Sequence, residues 1–223
     1  MISLPNLPLI EKGESVNTFR FMMEETGNLS QLIHNRNKLL ALEWVEKLID
    51  WPNIHEQAYG IVPSYISAEI VNTTFINSRG NSRFNDDKQG VWYCAFEHDT
   101  AVKEVAYHRK RIQDETNDYG IEVVYREIFA DFVGAFHDAQ GLPRGEGILG
   151  PDPKTAYPLG QKLARKLRAE GGRGIIYPSV REPRGVCLVA FHQEIVQNAR
   201  FGGLWKMSWN EEGEFSIDKM GDV

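Results

Sequence analysis

Residues 90–96, GVWYCAF, carry no charged side chain at any position. Successive residues of a strand point to opposite faces, so a run apolar throughout needs both faces covered. A chain holding such a run must build a sheet with material packed on both sides, and this strand belongs in its interior. Further strand-like runs follow. IEVVYREIFADFVGAF (121–136) gives one strand or two, and GIIYPSV (174–180) and GVCLVAF (185–191) flank the polar turn Arg181-Glu182-Pro183-Arg184-Gly185. GLWKMSW and GEFSI read as a closing hairpin around residues 210–213. AEIVNTTFIN (68–77), rich in β-branched side chains, reads as another strand.

Helical patterns are fewer and do not alternate regularly with the strands. One runs from about Ala101 to Glu115 with Asp99 or Thr100 as its cap. A second carries Leu159, Leu163 and Leu167 and ends at Gly171-Gly172. In NKLLALEWVEKLIDW (37–51), Leu40, Trp44, Leu48 and Trp51 recur every three or four residues before Pro52 stops the pattern. Residues 1–16, with Pro5, Pro8 and Gly13, read as an extended arm, and the rest of the N-terminal third as mostly helical. The expectation is an α+β protein built on a mixed, mainly antiparallel sheet with flanking helices. It divides into a helical N-terminal extension over 1–66 and a core domain over 67–223. Residues 137–158 are dense in Gly and Pro and read as a long irregular loop placed to act as a lid.

At 223 residues the chain suits one well-buried core. No apolar run approaches the about 20 residues that cross a bilayer, and the first residues lack a basic start followed by an apolar stretch. Cys94 and Cys187 lie far apart inside apolar runs, the pattern of buried free thiols in a reducing cytosol. The expected location is cytoplasmic, with no membrane partner. Asp+Glu 31 against Lys+Arg 25 gives a net charge of −6, which disfavours direct nucleic-acid binding. The basic run His108-Arg109-Lys110-Arg111 continues a helix and reads as a solvated face.

The chemistry-bearing residues cluster around the apolar strand. Glu104 falls on the same helical side as Ala101, Val105, His108 and Ile112, with Lys103 opposite. A carboxylate on an apolar face has to be paired, hydrogen-bonded or functional, because burying it alone costs several kcal/mol. Arg83 stands between Ser82 and Phe84 in a loop opened by Gly80, a setting for bidentate recognition of phosphate or carboxylate. Tyr93 comes from the central strand and Ser179 from the end of a later one. Each also has a plain structural reading: an ion pair for Glu104, a surface cation for Arg83, a core tyrosine, a turn serine. The phosphate-loop and dinucleotide glycine patterns and the serine-hydrolase elbow are absent, and no His or Cys pair has metal-ligand spacing.

As an ordered set these residues resemble the RES domain, named for its Arg, Glu and Ser. The run TTFINSRGNSRFNDDKQGVWYCAFEHDTAVKEVAYHR matches the family's loop, strand and Thr-Ala-x-x-Glu helix, and YPSVREPRGVCLVAF matches its later segment. Asn81 departs from the family's glycine-rich approach to Arg83, and the N-terminal third lies outside the common part. The resemblance implies a fold of ADP-ribosyltransferase type and a bacterial toxin that consumes NAD as substrate, with phosphate or water as acceptor. Glu104, Arg83, Tyr93 and Ser179 would form the catalytic set, with Arg181 and Arg79 as further phosphate contacts, no metal and no resident cofactor. The implied partner is an antitoxin with an Xre-like DNA-binding domain, in a homodimer or a hetero-oligomer. A protein mono-ADP-ribosyltransferase and a non-catalytic NAD- or ADP-ribose-binding module are the alternatives.

Overall fold

The computed structural model describes residues 4–12, 18–23, 64–78, 80–116, 120, 122–210, 212 and 214–221. Its strands are β1 (Leu9–Lys12), β2 (Thr18–Met23), β3 (Trp92–Ala95), β4 (Glu122–Phe132), β5 (Gly134–Asp138), β6 (Gly174–Pro178), β7 (Val186–Ala190), β8 (Val196–Trp209) and β9 (Phe215–Gly221). The helices are α1 (Ser64–Asn77), α2 (His98–Thr116) and α3 (Pro153–Ala169). All nine strands form one sheet in the order β1-β5-β6-β7-β3-β2-β4-β8-β9. Only the β5–β6 pairing is parallel, so the expected α+β class and mixed, mainly antiparallel sheet are what the chain forms.

β3 sits between β7 and β2, as its double-sided apolar character requires. Its residues alternate between two buried clusters. Trp92 and Cys94 join Ile70, Val71, Phe75, Ile128, Ile176 and Leu188 on one face. Tyr93 and Ala95 join Phe84, Ala101, Val102, Leu163, Ile175, Tyr177 and Val189 on the other. β6 and β7 divide in the same way, and this period-2 partition is what a central strand imposes.

AEIVNTTFIN, expected to be a strand, is most of helix α1. Ile70, Val71, Thr74 and Phe75 are all buried, a helical stripe that presses against the sheet. Burial of that stripe outweighs the modest strand preference of its β-branched residues. The N-terminal third departs too. The expected arm contains β1, which pairs with β5, and Thr18–Met23 is strand β2, seated between β3 and β4. The sheet therefore draws strands from both sides of the boundary expected at residue 66, and the helix expected over 37–51 lies outside the described residues.

Two smaller differences bear on the site. α2 starts at His98 rather than Ala101, with the Glu97 carboxylate accepting from the Thr100 hydroxyl at 3.0 Å. α3 starts at Pro153, inside the expected loop, because Asp152 caps it by accepting from the Lys154 N–H and proline suits the first turn. The remaining connection, 139–152, contains a short 3-10 turn, Gly147–Leu149, with Leu149 fully buried.

Candidate functional site

A cleft of about 380 Å³ opens on the face of the sheet that carries α2 and α3. Its floor comes from four adjacent strands: Tyr177 of β6, Cys187 of β7, Tyr93 and Ala95 of β3, and Phe19 and Phe21 of β2. Ala101, Glu104, Val105 and His108 of α2 form one wall, with Arg83, Tyr157 of α3 and Arg181 around the rest. The helical side expected to carry Glu104 does face the cleft, whereas Ile112, one turn on, is exposed.

Glu104 makes no ion pair among the described residues. Its Oε1 accepts a 2.6 Å hydrogen bond from the Ser179 hydroxyl. Ser179 is fully buried, and its oxygen in turn accepts the backbone N–H groups of Arg181 at 3.1 Å and Glu182 at 2.9 Å. Its single hydrogen therefore has a fixed destination, and the serine, which does not line the cleft, acts on it through Glu104. Lys103, on the opposite side of α2, pairs with Glu182 and ties the helix to the same turn.

Arg83 is buried and donates from Nη1 to the carbonyls of Ile148 and of Gly150, the latter at 3.2 Å. Its guanidinium lies 5.4 Å from the Tyr157 ring centroid. The loop carrying it is built around Asn85, whose amide donates to the Ser78 and Gly80 carbonyls at 2.8 and 3.0 Å. Asn81, the departure from the family's glycine pattern, accepts a 2.6 Å bond from Gln161 of α3. Gly160 of α3 comes so close to this loop that an added Cβ would stand 2.2 Å from the Arg83 carbonyl oxygen.

The Tyr93 hydroxyl accepts from the Phe84 N–H at 2.8 Å and donates to Asn85 Oδ1 at 3.0 Å, while its ring lines the cleft. Burial raises the Tyr93 pKa well above the ordinary phenol value, so the hydroxyl stays protonated and available for that donation. Arg181 lies over the Tyr107 ring at 3.2 Å and donates from Nη2 to the Pro151 carbonyl at 3.1 Å; partial burial lowers its pKa. Arg79 lies outside the described residues. Arg83, Tyr93, Glu104 and Arg181 thus meet at one cleft, with Ser179 directly behind Glu104.

Two cleft residues escape a reading based on motif spacing. Arg20 borders the cleft where β2 and β3 splay apart after their one paired position, Phe19–Ala95, and its guanidinium lies 5.5 Å from the Trp92 ring centroid on the opposite face of the sheet. Its Nη1 donates to the Tyr93 carbonyl at 2.7 Å, supplying a bond the ladder lacks there, and burial pulls its pKa down to about 10. The alternation of Phe19, Arg20 and Phe21 was the available signal for a strand. The other residue is Cys187, whose Sγ lies 4.0 Å from Glu104 Oε1.

A family model for the RES domain matches residues 58–210. The chain belongs to the RES domain family. Arg83, Tyr93, Glu104 and Ser179 all fall within the matched region, whereas Arg20, which borders the cleft on β2, comes from outside it. No curated protein matches the chain. Among solved structures, this RES-domain chain is similar to one in the MbcT–MbcA toxin–antitoxin complex of M. tuberculosis, at 15% identity and a TM-score of 0.45, covering 96% of this chain and 86% of that one. No described helix is long and apolar enough to cross a membrane, and no described group of His, Cys, Asp and Glu could hold a metal ion.

Proposed function

We propose that this RES domain cleaves the nicotinamide–ribose bond of NAD, transferring the ADP-ribosyl group to phosphate or water, and acts as a cytoplasmic toxin. The observation that carries this reading is the Glu104 carboxylate, fixed by Ser179 in a cleft that also presents the Tyr93, Tyr157 and Tyr177 rings and the Arg83 and Arg181 guanidinium groups. Nicotinamide leaves with the bonding electron pair on its ring nitrogen and becomes neutral, so no general acid is required. Positive charge moves onto the ribose as an oxocarbenium-like centre, and a carboxylate already in place stabilises that charge without reorganising. An acceptor oxygen then bonds to the anomeric carbon and releases its proton.

In this reading the ring of Tyr93 stacks on the nicotinamide or ribose, while Arg83 and Arg181 meet the diphosphate or the phosphate nucleophile. Both guanidinium groups now donate to carbonyls of 148–151, so phosphate would compete with that segment for the same donors. The family resemblance also implies an antitoxin with an Xre-like DNA-binding domain as the partner that neutralises the enzyme. Incubating the purified chain with NAD, with and without phosphate, tests the reaction. ADP-ribose-1″-phosphate marks phosphorolysis and ADP-ribose marks hydrolysis. Labelled protein would instead favour a protein mono-ADP-ribosyltransferase, and intact NAD with retained binding would favour a binding module.

A further inference from the structure

Ser179 accounts for one hydrogen bond to Glu104, yet a single bond leaves a carboxylate free to pivot about it. Cys187 supplies a second contact to the same oxygen, with Sγ 4.0 Å from Oε1. The cysteine is in register with Tyr177 of β6 on one side and Ala95 of β3 on the other, and it forms part of the cleft floor. Ser179 closes the β6 end and Cys187 sits on β7, so the two donors reach Oε1 from different strands. Among the described residues none donates to Oε2, which leaves that oxygen for whatever enters the cleft.

The protonation state fits a donor. Burial, and then the adjacent Glu104 charge, holds the Cys187 thiol well above its ordinary pKa. The sulfur therefore carries its hydrogen at neutral pH, where a thiolate beside a carboxylate would repel it. The same elevation makes Cys187 a poor nucleophile, so a covalent role for it does not fit. Its neighbour Cys94 points to the other face of the sheet and has the Leu188 carbonyl at 3.8 Å.

We propose that Cys187 is a positioning residue for Glu104: its S–H donates to Oε1 and, with Ser179, turns Oε2 toward the substrate. The proposal rests on the NAD-cleaving reading of Glu104 for its kinetic consequence, but the hydrogen bond itself does not. The test pairs a spectroscopic readout with a kinetic one. In a Cys94→Ala background the remaining S–H infrared band belongs to Cys187. Replacing Glu104 by Ala should move that band to the higher frequency of a free thiol. An unmoved band overturns the hydrogen bond whether or not NAD is consumed.

For turnover, Cys187→Val removes the donor while keeping bulk, and Cys187→Ser keeps a donor. The Val variant should lose roughly fivefold or more in kcat with KM nearly unchanged, as expected when a bond that orients a charged group is lost. The Ser variant should recover most of that loss. Equal activity of Val, Ser and wild type, or equal loss in Val and Ser, overturns the proposal, since the second pattern reports packing alone. If the Val variant does not fold, Cys187→Ala takes its place and the infrared band still decides. A shifted band in a protein that leaves NAD intact would keep the positioning contact and sink the substrate reading instead.

Discussion

Ser179 shows how much one small side chain can carry when it is fully buried. Its hydroxyl gives one hydrogen bond to Glu104 and receives two backbone N–H groups from the turn that follows β6. Replacing it by Ala leaves those amides without their acceptor, at about 1–3 kcal/mol. Ser179→Ala should therefore lower the melting temperature by several degrees and also reduce turnover. Calorimetry and a rate measurement on the same sample check this; unchanged stability would mean that water replaces the hydroxyl freely. The sequence identified Ser179 as the residue at a strand end and Glu104 as a carboxylate on an apolar helical face, but not the bond between them. Spacing along a chain cannot reveal contacts across 75 residues unless a family pattern links the two segments. Cys187 stayed hidden for the same reason: a cysteine in an apolar strand looks like core, and only the β6–β7–β3 register turns it toward Glu104.

Among the elements, α3 sets where Arg83 stands. Gly160 lets the helix meet the Arg83 loop backbone to backbone, and Gln161 and Arg165 bond to Asn81, Ser82 and Asp86 of that loop. Gly160→Ala would drive a methyl group into the Arg83 carbonyl, an overpacking cost of about 1–3 kcal/mol with the loop displaced. The variant should fold with reduced stability and lose substrate affinity more than Ala substitutions on the exposed side of α3; equal KM values for both sets would contradict it. Helix α2 was legible because its cleft face keeps a helical spacing, and β3, β6 and β7 because buried strands are apolar on both faces. α1 reads as a strand because its β-branched residues outweigh a helical periodicity that becomes visible only through burial of Ile70, Val71, Thr74 and Phe75. β2 is hard to read because the alternation of Phe19, Arg20 and Phe21 spans only three residues before Met22 and Met23 break it.

Across the whole molecule, the sheet buries tyrosine and cysteine side chains in their neutral forms. Burial raises Tyr93, Tyr177 and Cys187 well above their ordinary values, and Cys94, on the other face, is pushed up to about 12. In the unfolded chain the thiols ionise near 9 and the phenols near 10. Between those values and the raised folded ones the native state holds more protons, so stability is intact below about pH 9 and falls as pH rises. Each group contributes up to about 1.4 kcal/mol per pH unit in that window. Melting temperature should therefore decline steeply from pH 9 to 10.5; a flat profile would show that these groups ionise in place. With Tyr177 and Cys187 held neutral beside it, the Glu104 carboxylate keeps the negative charge that the proposed reaction sets against a ribose that turns cationic. The most direct test is the rate of nicotinamide release from NAD by the wild type and by Glu104→Gln at equal concentrations of folded protein. Glu104→Gln should lose several hundredfold or more in rate with the fold retained, whereas a variant within tenfold of wild type would contradict a catalytic role for this carboxylate.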